Sequence, residues 1–192
     1  MKKRMFLIIA IISVAVMTID NKVFGQYLTS GTLNGHEWVD LGLPSGTKWA
    51  TCNVGASTPK RCGNYYEGKK DVFGDAGYEH WEGWQVPTED QIKELRDECK
   101  WTFTSSGSGA KVVGPNGNSI FLPFAGHSYY NGDDGWYDPS EVTRAGYYWS
   151  SRYGYYLKII RGCDDCQEIS KSYTNFQWGH HKISLRLVVE SD

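Results

Sequence analysis

Residues 36–56 read HEWVDLGLPSGTKWATCNVGA, and this stretch decides how the fold begins. Trp38 and Leu41 predict one strand and residues 49–54 predict a second, because aromatic and β-branched side chains favour strands. Between them, residues 44–46 read Pro-Ser-Gly, which is the chemistry of a turn. The stretch therefore predicts that the fold opens with two strands joined by a short connection.

The composition supports a protein made of strands and turns. The chain has 192 residues, of which 40% are hydrophobic, and it contains 8 Trp, 13 Tyr and 7 Phe alongside 22 Gly. Glycine weakens helices and aromatic residues favour strands, so a helical bundle is a poor fit. The hydrophobic share excludes wholesale disorder. A net charge of -2, with no basic run beyond residues 2–4, argues against a nucleic-acid partner held through its phosphates.

One segment carries the signals of an amphipathic helix. Thr88 and Gln91 have the spacing of a capping box, and Glu89 and Asp90 would lie at the positive end of the helix dipole. Apolar side chains then follow at helical spacing, with charged residues between them: Ile92, Leu95 and Cys99. We predict one helix of about three turns.

The remaining strands are predicted on both sides of long polar connections at 55–84 and 125–145. A hairpin is expected at 110–114 and 119–123, around a Pro-Asn-Gly-Asn turn. Four later strands are predicted at Tyr147–Ser150, Tyr155–Ile160, Ile169–Phe176 and Ile183–Val189. In the last one, alternation would put Ile183, Leu185, Leu187 and Val189 inward and Ser184, Arg186 and Val188 on the other face. The fold class is α+β, mainly antiparallel strands with one helix and long loops.

The start of the chain has the pattern of an export signal. A basic run at residues 2–4 precedes an apolar or small stretch at 5–17, which is too short for a bilayer core of about 30 Å. We predict a signal peptide at 1–25, a lead-in at 26–35 and a single domain at 36–190; the alternative is a buried N-terminal helix. The protein would be exported to the periplasm, the cell surface or the medium, with no membrane span after signal-peptide removal.

Export makes disulfides possible, and the chain has five cysteines, at 52, 62, 99, 163 and 166. Because five is odd, at least one thiol stays unpaired or pairs between chains. Cys163 and Cys166 are the candidate local disulfide, which would staple the tip of a hairpin. Their C-x-x-C spacing also occurs in redox and zinc sites, but two flanking aspartates would raise a thiol pKa and disfavour a reactive thiolate.

Several motifs, in order along the chain, resemble the Fibrobacter succinogenes major paralogous domain family. They lie at residues 37–56, 84–89, 99–103, 114–126, 146–151 and 184–188. The resemblance covers about residues 36–189. The connection at 57–83 is shorter than usual for the family, and Cys62, Cys163 and Cys166 are additions to its pattern.

The resemblance implies a C-type-lectin-like fold in an exported bacterial protein, often one at the cell surface. It implies no settled activity, because the same fold serves variable ligand-binding proteins and formylglycine-generating enzymes. The five histidines are scattered, and neither a G-x-S-x-G nor an H-E-x-x-H motif is present. We therefore expect no enzyme activity and no cofactor.

Calcium is the one metal that the sequence suggests. Oxygen-bearing side chains gather within one loop, at Asn131, Asp133, Asp134, Asp138 and Glu141. Their spacing is not that of an EF-hand, and Gly132 and Gly135 equally suit a solvated turn. We favour the solvated acidic loop over the calcium site.

The aromatic residues predict the function. Five tryptophans fall in the family motifs and are assigned to packing: Trp38, Trp49, Trp84, Trp101 and Trp149. Others fall on the first connection, at Tyr65, Tyr66, Tyr78 and Trp81. The candidate ligand-binding set lies on the second connection and the late hairpin: Tyr129, Tyr130, Trp136, Tyr137, Tyr153, Tyr156 and Trp178.

Tyrosine and tryptophan offer large amphipathic contact area at low entropic cost, and sugar rings stack on them. The loop aromatics fit equally a contact surface and a cluster that stabilises the loops. On the first interpretation, we predict an exported, non-catalytic binding module for a glycan or protein ligand. The alternatives are a structural or assembly component of a bacterial surface and a relative of the formylglycine-generating enzymes.

Overall fold

The computed structural model describes residues 29–68, 80–104, 108–130, 139–160, 168–171 and 181–190. This part of the chain contains one helix, α1 (Glu89–Glu98), and thirteen strands. The strands in chain order are β1 (Ser30–Leu33), β2 (His36–Asp40), β3 (Lys48–Ala50), β4 (Tyr65–Glu67), β5 (Lys100–Phe103), β6 (Gly109–Val113), β7 (Ser119–Pro123), β8 (Ser128–Tyr129), β9 (Ala145–Trp149), β10 (Tyr155–Ile160), β11 (Glu168–Lys171), β12 (His181–Ser184) and β13 (Val188–Val189).

The strands form three sheets. The first has the order β1-β2-β3-β13, the second β11-β10-β9-β12-β4 with β8 also paired to β12, and the third β5-β6-β7. Every strand pair is antiparallel except β9 with β12. The predicted α+β class, mostly antiparallel strands with one helix, is confirmed.

The opening strands form as predicted, with one difference in length. Strand β2 pairs with β3 so that Trp38 faces Ala50, and a turn joins them in which Gly46 adopts a φ of 71°, a conformation that suits glycine. The second strand ends at Ala50 instead of running to Val54. Beyond it, the N–H of Val54 donates to the carbonyl of Leu185, in the link between β12 and β13.

The capping box of α1 is present in both directions. The Thr88 hydroxyl accepts from the backbone N–H of Gln91 at 3.2 Å, and the Gln91 side chain accepts from the N–H of Thr88 at 2.8 Å. Ile92 and Leu95 are buried as predicted. The helix ends at Glu98, and the extended backbone of Cys99 leads straight into β5.

The predicted hairpin is confirmed as β6 and β7, in the register Val113 opposite Ser119. Strand β5 extends it to three strands and was not predicted. Its exposure alternates along the strand, and Trp101 and Phe103 pack against the core. This alternation is the signal that would have identified it.

Both long connections and the lead-in contain strands that the sequence did not predict. The first connection contributes β4, which pairs with β12 so that Tyr66 faces Ile183. The second contributes β8, and the lead-in before residue 36 contributes β1. The prediction of unbroken loops was therefore wrong at these places, because such short strands are specified by distant partners.

The predicted final strand is interrupted. Strand β12 ends at Ser184 and β13 begins at Val188, so the two pieces belong to different sheets. Residues 183–188 are all buried, so both of the predicted faces are covered. Arg186, predicted on the face opposite that of Ile183, is only 1% exposed. Strand β11 is confirmed at its start, while the rest of the predicted strand lies outside the described residues.

The core has two parts. One joins α1, the third sheet and β10, with Leu95, Leu122 and Ile159 at its centre. The other lies around β9 and β12 and contains most of the buried tryptophans. Trp38, Trp49, Trp84 and Trp149 are buried and Trp101 is half-buried against the core, so their assignment to packing is confirmed.

Candidate functional site

Three of the predicted ligand-binding tyrosines expose their rings. Tyr129 is 36% exposed, Tyr130 is 39% exposed and Tyr153 is 58% exposed. Tyr129 ends the short strand β8, which is held to β12 opposite His181. Trp136, Tyr137 and Trp178 of the predicted set lie outside the described residues.

Tyr153 is separated from the other two. It lies in the turn between β9 and β10, whereas Gly126 and the chain leading to β8 approach the opposite end of β9 at Gly146. A rise of about 3.3 Å per residue along β9 puts the two ends more than about 10 Å apart. The structure therefore brings Tyr129 and Tyr130 together but leaves Tyr153 at the far end of the hairpin.

Tyr156 does not form part of an exposed surface, which corrects its prediction as a contact residue. It is 5% exposed, and its ring lies 5.9 Å from that of Tyr147 and 6.4 Å from that of Trp149. Trp81 of the first connection is likewise buried, with His36 stacked on it at 3.5 Å. The alternation of side chains along a strand defines two faces, but it does not predict whether both faces are buried by other elements.

A polar cluster lies behind Tyr129, with His127 at its centre. The Nε2 of His127 is 3.3 Å from the Ser140 hydroxyl, and its Nδ1 is 3.6 Å from Glu141 Oε2. The Tyr147 hydroxyl donates to the same Glu141 oxygen at 2.5 Å. His127 and Ser140 face each other across an antiparallel bridge, which brings the second connection back onto itself.

The rings of this cluster extend from the core to the surface. The ring of His127 lies edge-on to Tyr147 at 5.3 Å and tilted against His181 at 4.9 Å. The ring of His181 lies 6.3 Å from that of Tyr129. Packing against these rings gives exposed Tyr129 a supported position next to the buried part of the site.

Burial sets the protonation states of this cluster. It lowers the pKa of His127, and the nearby carboxylate of Glu141 opposes that effect. Burial and the Glu141 carboxylate together raise the pKa of Tyr147 above its ordinary range. The Tyr147 hydroxyl therefore stays protonated and donates a hydrogen bond to Glu141, which holds the carboxylate in place.

Ser140, His127 and Glu141 are the residue types of the nucleophile, base and acid of a catalytic triad, yet they do not form one. In a triad the acid orients the imidazole through a hydrogen bond. Here 3.6 Å separates Nδ1 of His127 from Glu141, which is too long for such a bond. The carboxylate instead accepts from Tyr147, and the contact between Ser140 and His127 is a cross-strand pair.

A cleft of about 390 Å³ opens beside Tyr147. It is lined by Glu141, Arg144, Ala145, Tyr147, Lys158 and Ile160. The Lys158 ammonium lies 5.9 Å from the centre of the Tyr147 ring. Within the described part of the chain, neither Arg144 nor Lys158 forms an ion pair with a carboxylate.

The loop that carries Glu141 and Arg144 has an unusual backbone. Glu141 has a φ of 57° and Thr143 a φ of 71°, and this left-handed region is costly for a β-branched residue. The N–H of Thr143 donates to the carbonyl of Phe124 at 2.9 Å. A Cβ on Gly126 would overlap the carbonyl oxygen of Ser140, so only glycine allows this close approach.

A larger cleft of about 860 Å³ lies elsewhere, and none of the predicted ligand-binding residues lines it. Its walls include His36, Glu37, Asn64 and His80, with buried Trp81 beneath His36. It has a single charged side chain and no exposed aromatic face among the described residues. None of the predicted ligand-binding tyrosines lines the smaller cleft either, but that cleft holds three charged side chains, and its Tyr147 is linked to exposed Tyr129 through the rings of His127 and His181. We therefore take the smaller cleft as the stronger candidate.

Calcium binding remains a prediction, because Asp133, Asp134 and Asp138 lie outside the described residues. Glu141 is described, and its carboxylate is bound by Tyr147. Over the described ranges, no group of three or more His, Cys, Asp and Glu side chains is arranged to hold a metal ion.

The predicted cysteine pair also lies outside the described residues, at Cys163 and Cys166. In the described part, Cys52, Cys62 and Cys99 are free thiols. Burial raises the pKa of Cys99 to about 12, so this thiol stays protonated at neutral pH. Among the described helices, none has the length and apolar character needed to cross a membrane.

No protein-family model, curated protein or solved structure matches this chain.

Proposed function

We propose that this protein is an exported or cell-surface binding module that recognises a glycan or protein ligand and catalyses no reaction. We further propose that it belongs to the Fibrobacter succinogenes major paralogous domain family and has a C-type-lectin-like fold, for which the ordered motifs of residues 36–189 are the support. The observation that carries the function is the exposure of Tyr129 and Tyr130 at the end of strand β8. The rings of His181 and His127 connect Tyr129 to Tyr147 of the charged cleft.

Rigid aromatic rings are favourable contact residues because a tyrosine has few rotatable bonds to immobilise. Tyr129 is held by the pairing of β8 with β12 and by the neighbouring ring of His181. Most other large apolar side chains of the described chain are buried. A ligand would therefore gain contact area at this edge at little cost in ordering.

The arrangement of the polar cluster favours binding over catalysis. His127, the best candidate for a general base, is not oriented by Glu141 through a hydrogen bond. Its hydroxyl partner, Ser140, occupies a bridge between two chain segments. These groups stabilise the loop that lines the cleft.

The test is an array of glycans and extracellular proteins probed with the full chain, with and without a chelator. The double variant Tyr129→Ala and Tyr130→Ala should reduce retention on the best ligand by about tenfold or more, as expected for aromatic anchors. Tyr153→Ala is the matched control, since this ring is more exposed but lies at the far end of the β9–β10 hairpin.

Two results would overturn the proposal. One is full retention by the double variant, and the other is a collapse of its melting temperature, which would make these rings structural. If the chelator abolishes binding by the unchanged protein, recognition is instead assigned to a bound cation.

A further inference from the structure

The small cleft beside Tyr147 has an uneven distribution of charge. Its three charged side chains are Glu141, Arg144 and Lys158. The carboxylate of Glu141 already accepts a hydrogen bond from Tyr147 at 2.5 Å. The two cations have no carboxylate partner in the described part of the chain. The cleft therefore presents positive charge, although the chain as a whole has a net charge of -2.

We infer that this cleft binds the carboxylate of an acidic saccharide, such as a uronic or sialic acid residue, an inference that rests on the proposed binding function. Arg144 supplies a planar guanidinium, which binds a carboxylate through two parallel hydrogen bonds. Lys158, which lines the same cleft, supplies a compact second charge.

Both cations are carried by well-defined backbone. Lys158 lies on the central part of β10, directly opposite Tyr147 of β9. Arg144 follows the left-handed residue Thr143, whose N–H is bound by the carbonyl of Phe124. Because the backbone that carries the two charges is already placed, an arriving anion has to order only the two side chains.

The volume and the remaining lining fit a sugar ring. A cleft of about 390 Å³ is near the lower end of the range for small-ligand sites, which starts at roughly 300 Å³. Tyr147 and Ile160 give it an apolar wall. The second carboxylate oxygen of Glu141, Oε1, has no hydrogen-bond partner within the described residues and would accept from hydroxyl groups.

The free Oε1 atom of Glu141 favours a saccharide over an acidic peptide as the ligand. A sugar acid places hydroxyl donors next to its carboxylate, so it satisfies Glu141 while its anion binds Arg144 and Lys158. An aspartate or glutamate side chain brings the same anion without such hydroxyl donors, so it would leave the free oxygen of Glu141 unsatisfied. The further residues of an oligosaccharide would continue towards Tyr129 and Tyr130, along the rings of His127 and His181.

The experiment uses the full chain on an array of oligosaccharides that contain uronic or sialic acid. Each is printed beside its carboxyl-reduced neutral counterpart, and oligoglutamate is included on the same array. We expect at least about tenfold stronger retention on an acidic member than on its neutral counterpart, since a hydrogen bond to a charged group is worth about that factor. Retention should fall as the salt concentration rises.

Variants then assign the effect to the cleft. Arg144→Gln and Lys158→Gln should each weaken binding of the best acidic member by about tenfold, measured by titration calorimetry. Lys158→Arg should keep most of it. Lys100→Gln is the matched control, because Lys100 is exposed on β5 and lines neither of the two clefts. The melting temperatures of all variants check that they fold.

The outcomes separate the two proposals. Equal retention of acidic and neutral members, or unchanged affinity in Arg144→Gln and Lys158→Gln, overturns the acidic-saccharide inference and leaves the binding module intact. Stronger retention of oligoglutamate than of any acidic saccharide reassigns the cleft to an acidic peptide. If the array retains no glycan and no protein, the proposed function and the inference that rests on it are both overturned.

Discussion

Arg186 donates a hydrogen bond from Nε to the Oδ1 of Asn53 at 2.9 Å, in the interior of the protein. Its Nη1 donates to the carbonyls of Ala50 at 2.9 Å and Thr51 at 2.8 Å, and its Nη2 donates to the carbonyl of Phe121 at 2.9 Å. Neutral acceptors thus surround a buried cation. Burial lowers the pKa of Arg186 to about 10, so the guanidinium remains charged at neutral pH.

This guanidinium joins three parts of the fold that are distant in sequence: the end of β3, strand β7 and the link between β12 and β13. Replacement Arg186→Met should lower the free energy of unfolding by about 3 kcal/mol or more, because several buried acceptors lose their donor. Urea denaturation measures the change. Arg144→Met, on an exposed loop, should change stability by less than about 0.5 kcal/mol; similar values for both would show that Arg186 carries no such role.

The burial of Tyr156 leads to a prediction that distinguishes core from contact residues. Tyr156→Ala should cost about 3–5 kcal/mol of stability, as is typical when a buried aromatic ring is removed. Tyr153→Ala should be nearly neutral, because this ring is 58% exposed. Thermal unfolding of the two variants measures this difference in stability. Equal melting temperatures would contradict the placement of Tyr156 in the core.

Gly126 and Gly117 form a matched pair for testing the close approach near the site. Both have left-handed backbone, with φ of 63° and 87°. A Cβ on Gly126 meets the Ser140 carbonyl, whereas a Cβ on Gly117 meets nothing within 4 Å. Gly117→Ala should cost about 1 kcal/mol from the backbone alone.

Gly126→Ala should cost clearly more than Gly117→Ala, since the collision adds to the same backbone strain. It should also weaken ligand binding at the cleft, because the loop with Glu141 and Arg144 must move. Chemical denaturation and the array assay measure the two effects. A cost equal to that of Gly117→Ala would mean that the loop shifts freely.

The half-buried imidazole of His127 predicts a pH dependence. Its pKa is lower in the folded protein than in the unfolded chain, so the unfolded chain binds more protons as the pH falls below about 6.5. Stability should therefore decrease on acidification through that window. His127→Gln should remove part of this slope, as measured by urea denaturation between pH 7 and pH 5, while the exposed His80→Gln variant should keep it. An unchanged slope in His127→Gln would contradict the shift.

The features that sequence analysis predicted correctly depend on residues close together in the chain. The capping box needs only Thr88 and Gln91, and the hairpin of β6 and β7 needs only its four-residue turn. The five tryptophans of the recurrent motifs were also assigned to packing correctly, whereas the burial of Trp81 was not predicted. For the candidate site, the sequence indicated the segment that carries Tyr129 and Tyr130, whose rings are exposed.

What the sequence determined by itself was the class of the fold, its helix, its main hairpin and the stretch that holds the exposed tyrosines. Tertiary structure alone decided that Tyr156 is buried, that Arg186 is enclosed by carbonyls, and that Arg144 and Lys158 share a cleft. The reason is physical. Capping and turn preferences act over a few residues, whereas burial and charge pairing depend on strands such as β4, β8 and β12, which meet only when distant segments fold together.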